Sequence, residues 1–191
     1  MDALKKRIIE DAEILHGDIL RVDGFLNHQI DVNLLSQCGI EWYKKFKDEG
    51  ITKILTIESS GIAISCLTAQ HFGVPIVYAR KGKGSPIGDN LYYVKAVSYT
   101  HGTSYDVIVS KDYINSNDRI LIIDDLLSGA SDLKALITIA EMAGAVVVGV
   151  GVAIEKVYQG GADRLRELGY RIESLAKISS IEDGTIKFVE E

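Results

Sequence analysis

The chain has 191 residues, 47% of them hydrophobic and 25% charged, with a formal net charge of −6. That size and balance fit one globular domain with chain enough for a true core, and the acidic excess argues against non-specific nucleic-acid binding, which needs a basic face. Cys38 and Cys66 are isolated and lack metal-ligand spacing, which fits a reducing cytoplasm; no signal-peptide layout is present, and the longest apolar run, Gly144 to Ile154, is too short to span a membrane.

Leu4, Ile8, Ala12 and Leu15 recur at helical spacing and predict an amino-terminal amphipathic helix that Gly17 ends. Residues 18–30 mix apolar and polar types and read as irregular or short-strand structure. Asp31 or Asn33 can cap a second helix through Phe46, with Gly50 closing it. From there strands and helices alternate: strand Lys53 to Ile57, helix Ile62 to Phe72, strand Ile76 to Arg80. Residues 81–90 are polar and hold Gly82, Gly84, Pro86 and Gly88. Tyr92 to Ser98 and Tyr105 to Ser110 read as paired strands turning near His101 and Gly102. Strand 120–124, helix 132–143, strand 145–154, a short helix at 162–168 and further short strands complete the chain. Such alternation predicts an α/β fold, a mainly parallel sheet with helices on both faces. Ligands then sit beyond the carboxyl ends of the strands.

One segment carries the chemistry. Ile120 to Ile123 is an apolar run that meets two adjacent carboxylates, Asp124 and Asp125. Leu126 and Leu127 follow, then a turn of small residues, Ser128, Gly129, Ala130 and Ser131, and Asp132 opens a helix. Backbone N–H groups at a small-residue loop, with a helix dipole behind them, bind phosphate. Two carboxylates just before the loop accept hydrogen bonds from vicinal hydroxyls. Phosphate beside a diol describes a ribose 5-phosphate.

This segment resembles the binding motif for 5-phosphoribosyl 1-pyrophosphate (PRPP) of the type I phosphoribosyltransferases. Ala130 is the main departure, since many members have glycine there, and alanine keeps the donor but narrows the allowed dihedrals. The resemblance implies a type I phosphoribosyltransferase fold, with a flexible loop over residues 82–106 and a small hood over the base. Asp124 and Asp125 become the catalytic pair holding the ribose hydroxyls, and Ser128, Gly129, Ala130, Ser131 and Asp132 grip the 5′-phosphate. Ser59 and Ser60, with Gly61, form the pyrophosphate loop, which in the family often carries a non-proline cis peptide. Lys81 lies where the family places a basic residue against PRPP. Mg2+ is expected to arrive with PRPP, with no dedicated protein metal site.

Several further segments resemble the bacterial xanthine phosphoribosyltransferases along the whole chain: Met1 to Ile8, Gly24 to Asp31, Glu58 to Ile62, Ala79 to Lys81, and Ile154 to Lys156. By position, Leu20 and Asn27 contact the purine and Lys156 its oxygen. A lysine donates to an exocyclic oxygen but cannot accept from an amino group, which favours 6-oxopurines over adenine. Tyr158 packs on a base or is an ordinary surface or core tyrosine. The resemblance implies one domain over residues 1–191, with hood elements from about 18–30 and the carboxyl-terminal part. It also implies a cytoplasmic homodimer acting on xanthine and PRPP, with no nucleic-acid or membrane partner. Guanine or hypoxanthine is the alternative substrate. A non-catalytic PRPP-sensing regulator is the alternative of another class, and no basic recognition helix supports it.

Overall fold

The structure is a computed structural model, described for residues 1–16, 19–82, 90–97 and 103–190. Helix α1, Asp2–Asp11, buries Leu4 and Ile8. It is shorter than the apolar spacing predicts. Ala12 is extended, and β1, Glu13–Leu15, pairs antiparallel with β2, Ile19–Arg21. Ile14 lies opposite Leu20, and Leu20 is buried. The hairpin satisfies the backbone as a further helical turn would have done, so packing of Leu20 decides between them. Gly17, expected to end the helix, lies outside the described residues. A single π-helical turn, Asp23–Asn27, follows and buries Phe25 and Leu26.

Helix α2, Val32–Phe46, starts at Asp31, whose carboxylate accepts from the Leu34 N–H at 3.0 Å. The cap is therefore Asp31 and not Asn33. Then come β3 Lys53–Ile57, α3 Ser60–Phe72, β4 Ile76–Gly82, β5 Leu91–Val97, β6 Ser104–Ser110, β7 Arg119–Leu127 and α4 Ser131–Met142. The chain closes with β8 Val146–Lys156, α5 Gly161–Glu167, β9 Ile172–Glu182 and β10 Thr185–Phe188. One eight-stranded sheet runs in the order β10-β9-β8-β7-β3-β4-β6-β5. The pairings from β9 to β4 are all parallel, while β10, β6 and β5 join antiparallel.

Successive residues of a strand face opposite sides of the sheet, and β7 shows it. Leu121 and Ile123 pack under α1, α2 and α3 with Ile8, Leu35, Trp42 and Ile64. Ile120 and Ile122 pack under α4 and α5 with Leu136, Ile139 and Leu165. Both faces are covered, as a parallel sheet requires.

Two strands run past their expected ends. β7 continues through Asp124 and Asp125 to Leu127 because β8 continues beside it, with Leu126 opposite Ile154 and Leu127 opposite Glu155. β8 includes Glu155 and Lys156, paired to β9. No helix among the described residues is long and apolar enough to cross a membrane.

Candidate active site

The sheet order sets the site. β3 and β7 are parallel neighbours, so their following loops emerge side by side, each leading into a helix. After β3, the Glu58–Ser59 peptide is cis. Ser59 precedes α3 but makes no side-chain cap, and the Ser60 hydroxyl donates instead to Asp125 Oδ1 at 2.8 Å. After β7, Ala130 precedes α4 and has no oxygen to cap it. Neither helix takes a cap acceptor from its own N-cap side chain, so first-turn amides are left for an anion. A Cβ on Gly61 would sit 2.2 Å from Thr56 Oγ1 and 3.2 Å from Asp124 Oδ1. Only glycine lets α3 begin this close to the acids.

Asp124 and Asp125 are nearly buried. Asp125 accepts from Ser60 and, on its other oxygen, from Asn27 Nδ2 at 3.4 Å. Asp124 Oδ1 accepts the Asp125 N–H at 3.0 Å. Burial first, then the charge of Asp125, pushes the Asp124 carboxyl well above the usual carboxylate range. Perturbed carboxyls of this kind cluster where ligands bind. The contact to Asn27 brings the π-helical turn onto the acid pair, joining a predicted base-binding residue to the predicted diol site.

On the far side, Lys81 Nζ donates to Asp132 Oδ2 at 2.9 Å, and the Tyr105 hydroxyl donates to the other Asp132 oxygen. Burial, then the bond to Asp132, raises the Tyr105 hydroxyl above its ordinary pKa. The Lys81 N–H is held by Glu58 Oε1 at 2.7 Å. The loop after β3, the end of β4, the start of β6 and the start of α4 thus form one network. The Asp132 carboxylate is committed to a cation and a phenol.

Lys156 is buried at the carboxyl end of β8, one residue past the pairing of Glu155 with Leu127. Leu20 sits in the apolar cluster with Val22, Phe25 and Leu26. Tyr158 is exposed. Of the expected 82–106 loop, residues 91–97 pair with 104–110. Gly84, Pro86, Gly88, Ser98, Tyr99, Thr100, His101 and Gly102 lie outside the described residues. A groove of about 860 Å³ against β4, β5 and β6 is lined by Tyr78, Arg80, Leu91, Ile108 and Tyr113. Asp124, Asp125 and residues 128–132 do not line it, so it is not the site described above.

Comparison with known proteins places the chain among its relatives. No family model matches the chain. A xanthine phosphoribosyltransferase of Oceanobacillus iheyensis is 47% identical over 191 residues, covering 100% of this chain and 98% of the relative. One from Ruminiclostridium cellulolyticum is 46% identical, with both chains covered to 100%, and one from Bacillus cereus 45%, covering 100% and 97%. The chain belongs to the xanthine phosphoribosyltransferase family. Among solved structures, adenine phosphoribosyltransferase from Rhodothermus marinus superposes with a TM-score of 0.75 at 21% identity, covering 93% of this chain and 100% of that one. APRTase from Giardia lamblia complexed with 9-deazaadenine gives 0.77 at 21% identity, covering 93% and 98%. These likenesses establish the type I phosphoribosyltransferase fold.

Within this chain, the departure at Ala130 has a structural cost. Its φ is +67° and ψ +14°, a left-handed conformation that costs a non-glycine residue ~1–2 kcal/mol. Ala130→Gly removes that strain and loses part of the gain to the freer unfolded chain. A net gain of about 1 kcal/mol raises Tm by roughly 2–4 °C in a thermal melt. A lower Tm would show that the Ala130 methyl contributes more through its contact with the apolar cluster. Pattern reading passed over Gly161, Arg164 and Arg166, although all three act on the loop or its support. The pair Gly160-Gly161 ahead of a helix was the one available signal.

Proposed function

We propose that the protein transfers the phosphoribosyl group of PRPP to xanthine, forming xanthosine 5′-monophosphate and pyrophosphate in a purine-salvage reaction. The observation that carries this is the placement of Asp124 and Asp125 between two helix N-termini, with Asp125 tied to Ser60 on one side and to Asn27 on the other. In this reading the amides of residues 128–132 hold the 5′-phosphate. The acid pair holds the ribose hydroxyls. Ser59, Ser60 and Lys81 face the pyrophosphate. The bond from C1′ to pyrophosphate breaks with its electron pair leaving on the phosphate oxygen. A lone pair of N9 forms the new bond, and the base loses its proton to solvent. No protein nucleophile is needed; positioning and charge stabilisation do the work. Lys81 leaves Asp132 to meet the leaving group.

Asp124 and Asp125 would supply one or two carboxylate contacts to a Mg2+ that arrives with PRPP. Bound so, it would offset the charge of the pyrophosphate. Asn27 has both a donor and an acceptor for the purine edge, and Lys156 donates to its oxygen. Leu20 supplies an apolar contact. Residues 1–191 act as one domain, a reading supported by a single sheet that takes strands from residue 53 to residue 188. Family membership also implies a cytoplasmic homodimer, which sedimentation of the purified protein would check.

The test offers xanthine, guanine, hypoxanthine and adenine separately with PRPP and Mg2+, with products resolved by chromatography. Xanthine should give the highest kcat/KM. Lys156→Ala should lower it roughly ten- to a hundredfold, the scale of one charged hydrogen bond. Binding of PRPP with no product from any base would overturn the enzyme reading and leave a PRPP sensor.

A further inference from the structure

We propose that α5 is a brace for the phosphate loop and that Arg164 is its positioning residue for the 5′-phosphate. The inference rests on residues 128–132 being the phosphate loop. Three independent contacts support it. First, a Cβ on Gly161 would lie 1.9 Å from the Ser128 carbonyl oxygen, so the amino end of α5 touches the loop backbone directly. Second, Arg164 Nη2 donates to the Gly129 carbonyl at 3.2 Å and to the Gln159 carbonyl at 3.4 Å. Third, Arg166 spans both oxygens of the buried Glu155 at 3.0 and 2.9 Å, and Glu155 pairs across the sheet with Leu127, the residue before the loop. Ser174 also donates to Glu155. Ala162 and Leu165 bury themselves in the cluster that holds Leu127 and Leu133.

The consequence is directional. A trans peptide holds its C=O and N–H antiparallel. With the Ser128 carbonyl turned to α5, the N–H of Gly129 turns away from it, and the Gly129 carbonyl held by Arg164 fixes the peptide that carries the Ala130 N–H, whose nitrogen lies 3.1 Å from where a Gly161 Cβ would be. An anion needs those donors aimed in advance. Ala130, in its left-handed conformation, completes the turn between the two fixed peptides and the first residue of α4. Arg164 touches no substrate in this arrangement. It acts through the carbonyl it holds, and its own side chain is exposed, so its replacement leaves the core intact.

The experiment compares the wild-type protein with Arg164→Ala and Arg164→Lys. Ribose 5-phosphate binding is read by calorimetry without base, and KM is read for PRPP and for xanthine. Arg164→Ala should weaken ribose 5-phosphate binding and raise the PRPP KM roughly fivefold to tenfold, the size of one or two net hydrogen bonds. The xanthine KM and Tm should hold, and Arg164→Lys should recover a good part of the loss. Unchanged ribose 5-phosphate binding in Arg164→Ala would overturn the brace, as would equal rises in both KM values. Failure of the wild type to turn over xanthine, with ribose 5-phosphate still lost on Arg164→Ala, would sink the proposed reaction and keep the brace. No ribose 5-phosphate binding by the wild type would overturn both.

Discussion

An Asp124→Asn protein will melt at a higher temperature than its parent and use PRPP roughly ten- to a hundredfold less well in kcat/KM. The two effects have one cause. Asp124 is 5% exposed and stands beside Asp125, so ionising it in the folded protein is costly, and its carboxyl is held well above the usual range. Asparagine keeps the oxygen that accepts the Asp125 N–H and removes the charge. It also swaps one carboxyl oxygen, the proposed acceptor for a ribose hydroxyl, for an amide NH2 that cannot accept, and leaving such a buried bond unmade costs about 1–3 kcal/mol. A group whose folded pKa is raised contributes stability below its unfolded pKa, and that stability is lost as pH rises through the folded value. The Tm gain of Asp124→Asn should therefore be small in acid, where both side chains are neutral, and widen toward neutral pH. Melts from acid to neutral pH, alongside PRPP kinetics, check both halves. A Tm difference that ignores pH would show that Asp124 carries no ionisation cost in the fold. The site would then be an instance of stability given up for binding in appearance only.

The same acids show how far the sequence could be read. The apolar run before Asp124, the small-residue turn after Leu127 and the strand Lys53–Ile57 all follow local rules, and the structure matches them. Asp31 as a cap is equally local. What the pattern missed depends on distant partners. The first helix stops at Asp11 because residues 13–15 find a strand at 19–21. β7 outruns its apolar stretch because β8 stays alongside. Ser60 reaches Asp125 across 65 positions and Lys81 reaches Asp132 across 51. Arg164 holds a carbonyl 35 positions away. A side chain bonded to a backbone carbonyl leaves no periodicity, spacing or composition to read, so the brace was invisible although the loop it supports was plain. The resemblance placed Asn27 near the base; only the fold brings it to Asp125.

The stability of that brace should be unequal between its two charged ends. Arg166→Ala is expected to cost about 3–5 kcal/mol, as loss of one partner of a buried pair does. In a protein of this size that lowers Tm by roughly 6–20 °C. Glu155→Gln should cost distinctly less. The reason lies in what each change leaves behind. The Glu155 side chain is 1% exposed and that of Arg166 is 33% exposed. Removing the arginine strands a carboxylate that water cannot reach, with Ser174 its remaining donor among the contacts described. Removing the carboxylate's charge leaves a guanidinium that solvent partly hydrates and that still pairs with Asp163 at 2.9 Å. Both variants loosen α5 from β8, so both should raise the PRPP KM. Only Arg166→Ala should also bring the melting point down steeply. Equal Tm losses would mean that the pair works by packing and geometry and not by the burial of Glu155. In that case Arg166→Met, which keeps the packed stem without the charge, should restore the Tm lost in Arg166→Ala. If burial of the charge decides the matter, Arg166→Met should melt as low as Arg166→Ala, because the carboxylate it leaves behind is the same.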